Sequence, residues 1–221
     1  MSKPLITGYN WAPDEGRGLV RDMRVRWALE EVGQPYDVRH LNWGEQKAPE
    51  HRARNPFGQV PAYEEAGLVL FESGAIVHHI AETRPGLFPE DPAGKARAIE
   101  WMYAALNTVE PPVWETIIAK YIDGKENWAA ARLPSVLGRL RERLGELSAR
   151  LGDAEWLDGA FSAGDLLMVQ VLRHAEGSGI LADYPNLPAY VARGMARPAF
   201  GRALADLRAG LTGKPPADWP Y

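Results

Sequence analysis

Two pairs of residues in the segment Asn55–Thr83 could act together on a ligand: Val60-Pro61 and Glu72-Ser73. A proline cannot donate to a sheet ladder, so Pro61 belongs at a strand start or on an edge. It also pushes Val60 into an extended conformation. A cis Val60–Pro61 bond would turn the N–H and C=O of Val60 away from the sheet, where they can pair with a short extended peptide as an added strand would. Glu72-Ser73 opens an amphipathic helix with Ile76, Val77 and Ile80 on one face. Free N–H groups at a helix start, with a hydroxyl beside them, make a ready carboxylate site. The chemistry on offer is capture of a small peptide that carries a carboxylate. A plain βββα unit with a structural proline and a serine at a helix start accounts for the same residues, so both readings stay open at this level.

Other chemistries are excluded by what the chain lacks. It has no cysteine, hence no disulfide, no thiolate metal site and no protein thiol nucleophile. Of the histidines only His78 and His79 are adjacent, and neighbours on a helix point in different directions, so no metal is expected. The net charge of −4 shows no basic excess, which argues against a nucleic-acid partner. No apolar run approaches the ~20 residues of a membrane span, and Met1-Ser2-Lys3-Pro4 is not followed by a secretory core.

The elements that position these residues follow from the pattern. Residues 4–9 read as a strand, Leu19–Glu31 as a helix and Tyr36–Leu41 as a second strand, a right-handed parallel βαβ crossover. Residues 62–65 and 68–71 flank Ala66-Gly67 as a hairpin. With the helix after Glu72, the order is βαβ then ββα, a thioredoxin-like layout. Three prolines and a glycine mark 84–93 as a linker. Beyond it the pattern is helical only. Lys95–Tyr121 is interrupted at Pro111-Pro112, and a leucine stripe runs from Leu133 to Leu151. Ser162 and Asp165 form a capping box, and short helices span 187–196 and 199–210. The expectation is an α/β N-terminal domain (1–83), the linker (84–93) and an all-α C-terminal domain (94–221). The proline-rich tail ends in Trp219 and Tyr221, either covering a pocket or hanging free.

Asn55-Pro56-x-Gly58-x-Val60-Pro61 followed by Glu72-Ser73-x-Ala75-Ile76 resembles the glutathione-site signature of glutathione S-transferases. The resemblance covers nearly the whole chain and is densest from Gly44 to Ile80. It implies a cytoplasmic homodimer that binds glutathione as co-substrate and joins its thiolate to a small hydrophobic electrophile or a peroxide. Glutathione contacts carried over residue by residue are Gln46 and Lys47 to the glycyl carboxylate and Gln59, Val60 and Pro61 for backbone pairing. Glu72 and Ser73 take the γ-glutamyl group. The electrophile pocket is expected at Tyr103 and Trp114 of the helical half. Isomerase or dehalogenase relatives, and non-catalytic binding modules, resemble the same pattern.

Activation of the thiol is the least determined part. A free thiol titrates near 8.5, and lowering it by about two units takes roughly 2.7 kcal/mol of preferential thiolate stabilisation. In many relatives a tyrosine ending the first strand supplies this, and Tyr9 stands there, although the loop after it is longer than the usual pattern. In other relatives a serine precedes the first helix, but no Ser, Thr or Cys occurs between Gly8 and Gly33. The alternatives are Arg17, Arg21, Trp11 and the backbone of the Arg17-Gly18-Leu19 turn. Arg17, Arg21, Arg24 and Arg26 otherwise read as a solvated basic face.

Overall fold

The computed structural model describes residues 3–217 and 219. Strand β1 (Leu5–Tyr9), helix α1 (Asp22–Glu31) and strand β2 (Asp37–Leu41) form the first crossover, with β1 and β2 parallel and Tyr9 opposite Leu41. Gly8 faces α1. A Cβ there would lie 2.6 Å from the Asp22 carboxylate, so glycine is what lets the helix approach the strand. A short helix α2 (Pro49–Arg52) precedes β3 (Ala62–Glu65) and β4 (Leu68–Phe71). Ala66 and Gly67 both take positive φ, as a two-residue hairpin turn between these strands requires. β3 runs antiparallel to β1, with Ile6 opposite Tyr63, giving the sheet order β2-β1-β3-β4. Helix α3 (Ser73–Thr83) follows and packs beside α1. This is a thioredoxin-like fold.

The helix α1 starts later than its apolar pattern indicates, at Asp22 rather than Leu19. The residues before it are held in a turn by Asp14, whose carboxylate accepts the N–H of Leu19 at 2.6 Å and of Gly16 at 3.2 Å.

By its internal contacts the chain divides into Met1–Leu87 with Arg197–Tyr221, and Phe88–Ala196. Helix α9 (Pro198–Gly210) therefore groups with the sheet, whereas its sequence position had placed it with the helical half. The cause is a set of contacts between residues far apart in sequence. Arg197 forms two hydrogen bonds to Glu31, at 2.6 and 2.8 Å. Arg202 reaches Glu30 at 2.6 Å, Arg26 reaches Asp206, and the Trp27 ring meets Phe200 edge-on at 5.1 Å.

The second unit is helical: α4 (Pro92–Tyr103), α5 (Glu110–Ile117), α6 (Ala129–Leu151), α7 (Ala163–Ala175) and α8 (Asn186–Met195). Asp91 caps α4 by accepting Gly94 N–H at 2.7 Å. Pro111 and Pro112 do not break the chain of helices. They sit in the first turn of α5, where missing N–H groups cost little, and a π-helical turn over Ala104–Val109 joins it to α4. The α6 stripe buries Val136, Leu140, Leu144, Leu147 and Leu151. The Ser162–Asp165 capping box forms, and Asp165 also accepts Leu157 N–H at 3.0 Å and the Tyr190 hydroxyl at 2.9 Å. Among the described residues no helix is long and apolar enough to cross a membrane.

Candidate functional site

The sheet register gathers the chemistry at one edge. Because Ala62 opposes Phe71, the residues just before β3 and just after β4 lie at the same end of the hairpin. Val60-Pro61 and Glu72-Ser73 are thus neighbours. β1 runs antiparallel to β3 and parallel to β2, so Tyr9 and the exit of β2 reach the same edge. The α1 entrance also opens there.

The loop before β3 is built by Asn55, which is buried. Its side chain accepts Phe57 N–H at 3.1 Å and donates to the Gln59 carbonyl at 2.9 Å, while its own carbonyl takes Gly58 N–H at 2.9 Å. His51 donates to the same Gln59 carbonyl at 2.8 Å. Gly58 has φ +59°, and a Cβ on it would stand 2.7 Å from the Gln46 carbonyl oxygen. Only glycine meets both demands. The Val60–Pro61 bond is cis. Among the described residues, neither the N–H nor the C=O of Val60 has a hydrogen-bond partner. The next residue, Ala62, donates to Thr7 Oγ1 at 2.7 Å, which fixes the start of β3 on β1.

At the other pair, Glu72 takes φ +68° and ψ +111°. A non-glycine residue in this region carries strain of order 1–3 kcal/mol and is found where a site requires it. The bend leaves the Glu72 side chain exposed and buries Ser73 at the first turn of α3. Arg24 donates to Ser73 Oγ at 3.1 Å and is itself only 2% exposed. This corrects the reading of the arginines as a solvated face. Arg17 is exposed and Arg21 half-buried, but Arg24 and Arg26 are core residues. Their location depends on α1 lying between the sheet and α9, which helical periodicity alone does not reveal.

Gln46 and Lys47 occupy a turn beside Gly58. Gln46 is buried, its side-chain oxygen accepting Gly44 N–H at 2.7 Å, and Lys47 Nζ donates to the Phe57 carbonyl at 3.0 Å. Both side chains brace the loop in this state. Gln59 is exposed, with its carbonyl turned inward.

At the α1 entrance, Tyr9 packs its ring on Trp43 at 4.9 Å, and its hydroxyl has no hydrogen-bond partner among the described residues. Burial, and then the nearby Asp22 carboxylate, push that hydroxyl up from 10 to about 12. Asp22 is buried and bonded to Arg26 Nε at 2.8 Å; burial raises its carboxyl against the pull of that guanidinium. The Arg17-Gly18-Leu19 turn does not offer free donors for a thiolate. Arg17 N–H is bonded to the Asp14 carbonyl at 3.0 Å and Leu19 N–H to the Asp14 carboxylate. Arg17 Nε reaches the same carbonyl at 3.3 Å. Trp11 stacks edge-on against Trp43 at 5.9 Å. Asp14 was detectable as a Pro-Asp-x-Gly turn former. The partnership of Asp22 with Arg26 was detectable as an i,i+4 pair. Arg24 had no local signal.

In the second unit, Tyr103 is 61% exposed. Trp114 is half-buried, donates Nε1–H to Glu110 at 2.9 Å and lies 5.5 Å from the His174 ring. Tyr103 ends α4 and Trp114 lies in α5, beyond the π-helical turn.

The chain thus combines a thioredoxin-like domain, with the cis Val60–Pro61 bond and the Ser73 helix start at one end of its sheet, with a helical unit. Residues 15–82 match the family model for the glutathione S-transferase N-terminal domain. The chain is 32% identical over 197 residues to glutathione S-transferase 1 of Zea mays, covering 84% of this chain and 91% of that one. It is also 32% identical over 194 residues to maleylacetoacetate isomerase of Rhizobium meliloti, covering 83% and 90%. A crystal structure of a Burkholderia graminis glutathione transferase, with two glutathione molecules bound per subunit, superposes with a TM-score of 0.80 at 27% identity, covering 92% and 88%. The chain belongs to the glutathione S-transferase family.

Proposed function

We propose that the protein binds glutathione at this sheet edge and transfers its thiolate to small hydrophobic electrophiles. The observation that carries the reading is the pairing of an unbonded Val60 backbone with the strained Glu72-Ser73 helix start, backed by the buried Arg24. In this reading the cysteinyl backbone pairs with Val60 after Pro61 as an added strand. Glu72 takes the γ-glutamyl ammonium, and the Ser73 N–H and hydroxyl take its carboxylate. Gln59 lines the entry, and Gln46 and Lys47 turn from bracing the loop to meet the glycyl carboxylate. Tyr9 donates its free hydroxyl to the sulfur. The thiolate attacks the electrophilic carbon, the C–S bond forms, the leaving group departs with its electron pair, and the thiol proton goes to solvent. Tyr103 and Trp114 complete the proposal as contacts of the electrophile, and the family's homodimer is its assembly, for which exposed Phe57, Leu68 and Val69 offer apolar surface.

Two further acceptors have specific support. The Burkholderia relative holds two glutathione molecules per subunit, as a peroxidase cycle needs. There the first thiolate cleaves the O–O bond, releasing alcohol, and the second glutathione reduces the sulfenic acid to disulfide and water. The likeness to maleylacetoacetate isomerase supports an isomerase that regenerates glutathione. Calorimetric titration with glutathione, followed by turnover of 1-chloro-2,4-dinitrobenzene, tests the main reading. A folded protein that binds no glutathione would overturn all three enzymatic readings. Binding without turnover of electrophiles, peroxides or cis-trans isomerisable diacids would leave a non-catalytic binding module.

A further inference from the structure

Four aromatic side chains of the first unit meet where β1 and β2 end. The Tyr9 ring lies 4.9 Å from Trp43, and Trp219 meets both Trp11 and Trp43 edge-on at 5.0 Å. Trp219 comes from the far end of the chain, and its position is built. Helix α9 is held on α1 by Arg26–Asp206 and Arg197–Glu31. Arg208 Nε then donates to the Gly16 carbonyl at 2.9 Å. Gly213 N–H donates to the Asn10 carbonyl at 2.8 Å, at a point where a Cβ would stand 2.7 Å from Asn10 Oδ1. Asn10 is in turn tied to the β2 exit through Leu41 and Asn42. The tail is thus laid along the β1–α1 loop. The cluster is not a closed core, because Trp43 keeps 38% of its surface exposed and Trp11 and Trp219 are half-buried. Large indoles left open beside a reactive edge mark a surface for apolar contact.

Resting on the glutathione reading, we propose that Trp43 and Trp219 are specificity-determining residues, forming a stacking wall for whatever group is bonded to the glutathione sulfur. The sulfur sits at Tyr9, and Tyr9 touches Trp43, so an S-substituent emerges onto these rings. Flat indoles arranged edge-to-face gain most from a planar aromatic group and little from a short aliphatic one. The wall depends on the C-terminal tail, so the tail sets substrate choice without touching glutathione itself.

The test compares the affinities of glutathione, S-methylglutathione and S-(2,4-dinitrophenyl)glutathione by titration calorimetry, with Trp219→Ala, Trp219→Phe and Trp43→Leu beside the wild-type chain. The wild type is expected to favour the aryl conjugate over the methyl one about tenfold. Trp219→Ala and Trp43→Leu should each cut that ratio about threefold or more, an aromatic pair being worth about 2- to 12-fold, and Trp219→Phe should restore most of it. Glutathione affinity and melting temperature should stay unchanged in the Trp219 variants. An aryl-to-methyl ratio that survives loss of Trp219 would overturn the wall while leaving glutathione binding intact. A wild type that binds none of the three would instead remove the glutathione reading, and the wall with it.

Discussion

Replacing Tyr9 by Phe removes one oxygen and little else. The ring contact with Trp43 at 4.9 Å is kept, and no protein hydrogen bond is lost among the described residues. A hydrogen bond to a charged acceptor contributes about 1.5–3 kcal/mol, which corresponds to roughly one to two pKa units on the bound thiol. The lower end applies here. A tyrosine pushed up to about 12 is a weaker donor, and Asp22, the second cause of that shift, disfavours a further anion. The expected outcome is a bound-thiol pKa about one unit higher in Tyr9→Phe, read from thiolate absorbance as pH is raised. Conjugation at about pH 5.5 and below should fall about tenfold, because below both pKa values the thiolate fraction scales with the shift. The difference should close toward pH 9.5, where both proteins hold thiolate. With its pKa raised, the Tyr9 hydroxyl stays protonated throughout that range and remains a donor until pH climbs toward 12, so no alkaline fall in wild-type rate is expected below that. A rate ratio that stays constant with pH would show that Tyr9 positions rather than activates. An unchanged rate would exclude it from the chemistry.

Ser73→Ala removes the acceptor of Arg24 at 3.1 Å and the hydroxyl of the carboxylate site. Glutathione Kd should rise about tenfold, measured by calorimetry, with melting nearly unchanged; equal affinity would show that the helix start is not the γ-glutamyl site. Gly58→Ala adds a Cβ 2.7 Å from the Gln46 carbonyl at φ +59°. The strain of about 2 kcal/mol should lower Tm by roughly 4–8 °C and weaken glutathione binding together, and a variant as stable as wild type would contradict the packing described. Asp165→Ala strips acceptors from Leu157, Ser162 and Tyr190, all buried. It should cost about 3 kcal/mol in denaturant unfolding while leaving glutathione affinity alone.

The segment Asn55–Thr83 was legible because its chemistry is local. Proline at a strand start, glycine in a strained loop and serine at a helix start each act through their own backbone, so residue type and spacing suffice. The hairpin at Ala66-Gly67 and the Ser162–Asp165 cap were legible for the same reason. What the sequence left unread depends on distant partners. Arg24 and Arg26 look like a surface pattern until Ser73 and Asp206 arrive from 49 and 180 residues away. The return of α9 to the first unit is likewise settled by Arg26, Glu30 and Glu31 on α1, which meet Asp206, Arg202 and Arg197. The tolerance of Pro111-Pro112 came from placing them in the first turn of a helix, a boundary that an unbroken apolar pattern hides.

The α1 entrance shows why the missing serine matters less than its absence indicates. A helix N-terminus attracts anions through free N–H groups and the helix dipole, and a thiolate could in principle use both. In the turn that leads into α1, the Asp14 carboxylate already takes the N–H groups of Gly16 and Leu19, and Asp22 places a second carboxylate in the first turn of the helix. Both are buried. A thiolate brought to the same N–H groups would displace a carboxylate already bonded at 2.6 Å and sit beside another. Arg26 neutralises Asp22 and is held on its far side by Asp206, and Arg24 is turned to Ser73. With the turn backbone and these two arginines committed, the Tyr9 hydroxyl stands at the α1 entrance as a donor with no hydrogen-bond partner among the described residues. In the proposed reading, the loop between β1 and α1 leaves the Tyr9 hydroxyl available to the sulfur. Because Asp14 already takes the Arg17 and Leu19 N–H groups, that reading assigns activation of the thiol to Tyr9 rather than to the turn backbone.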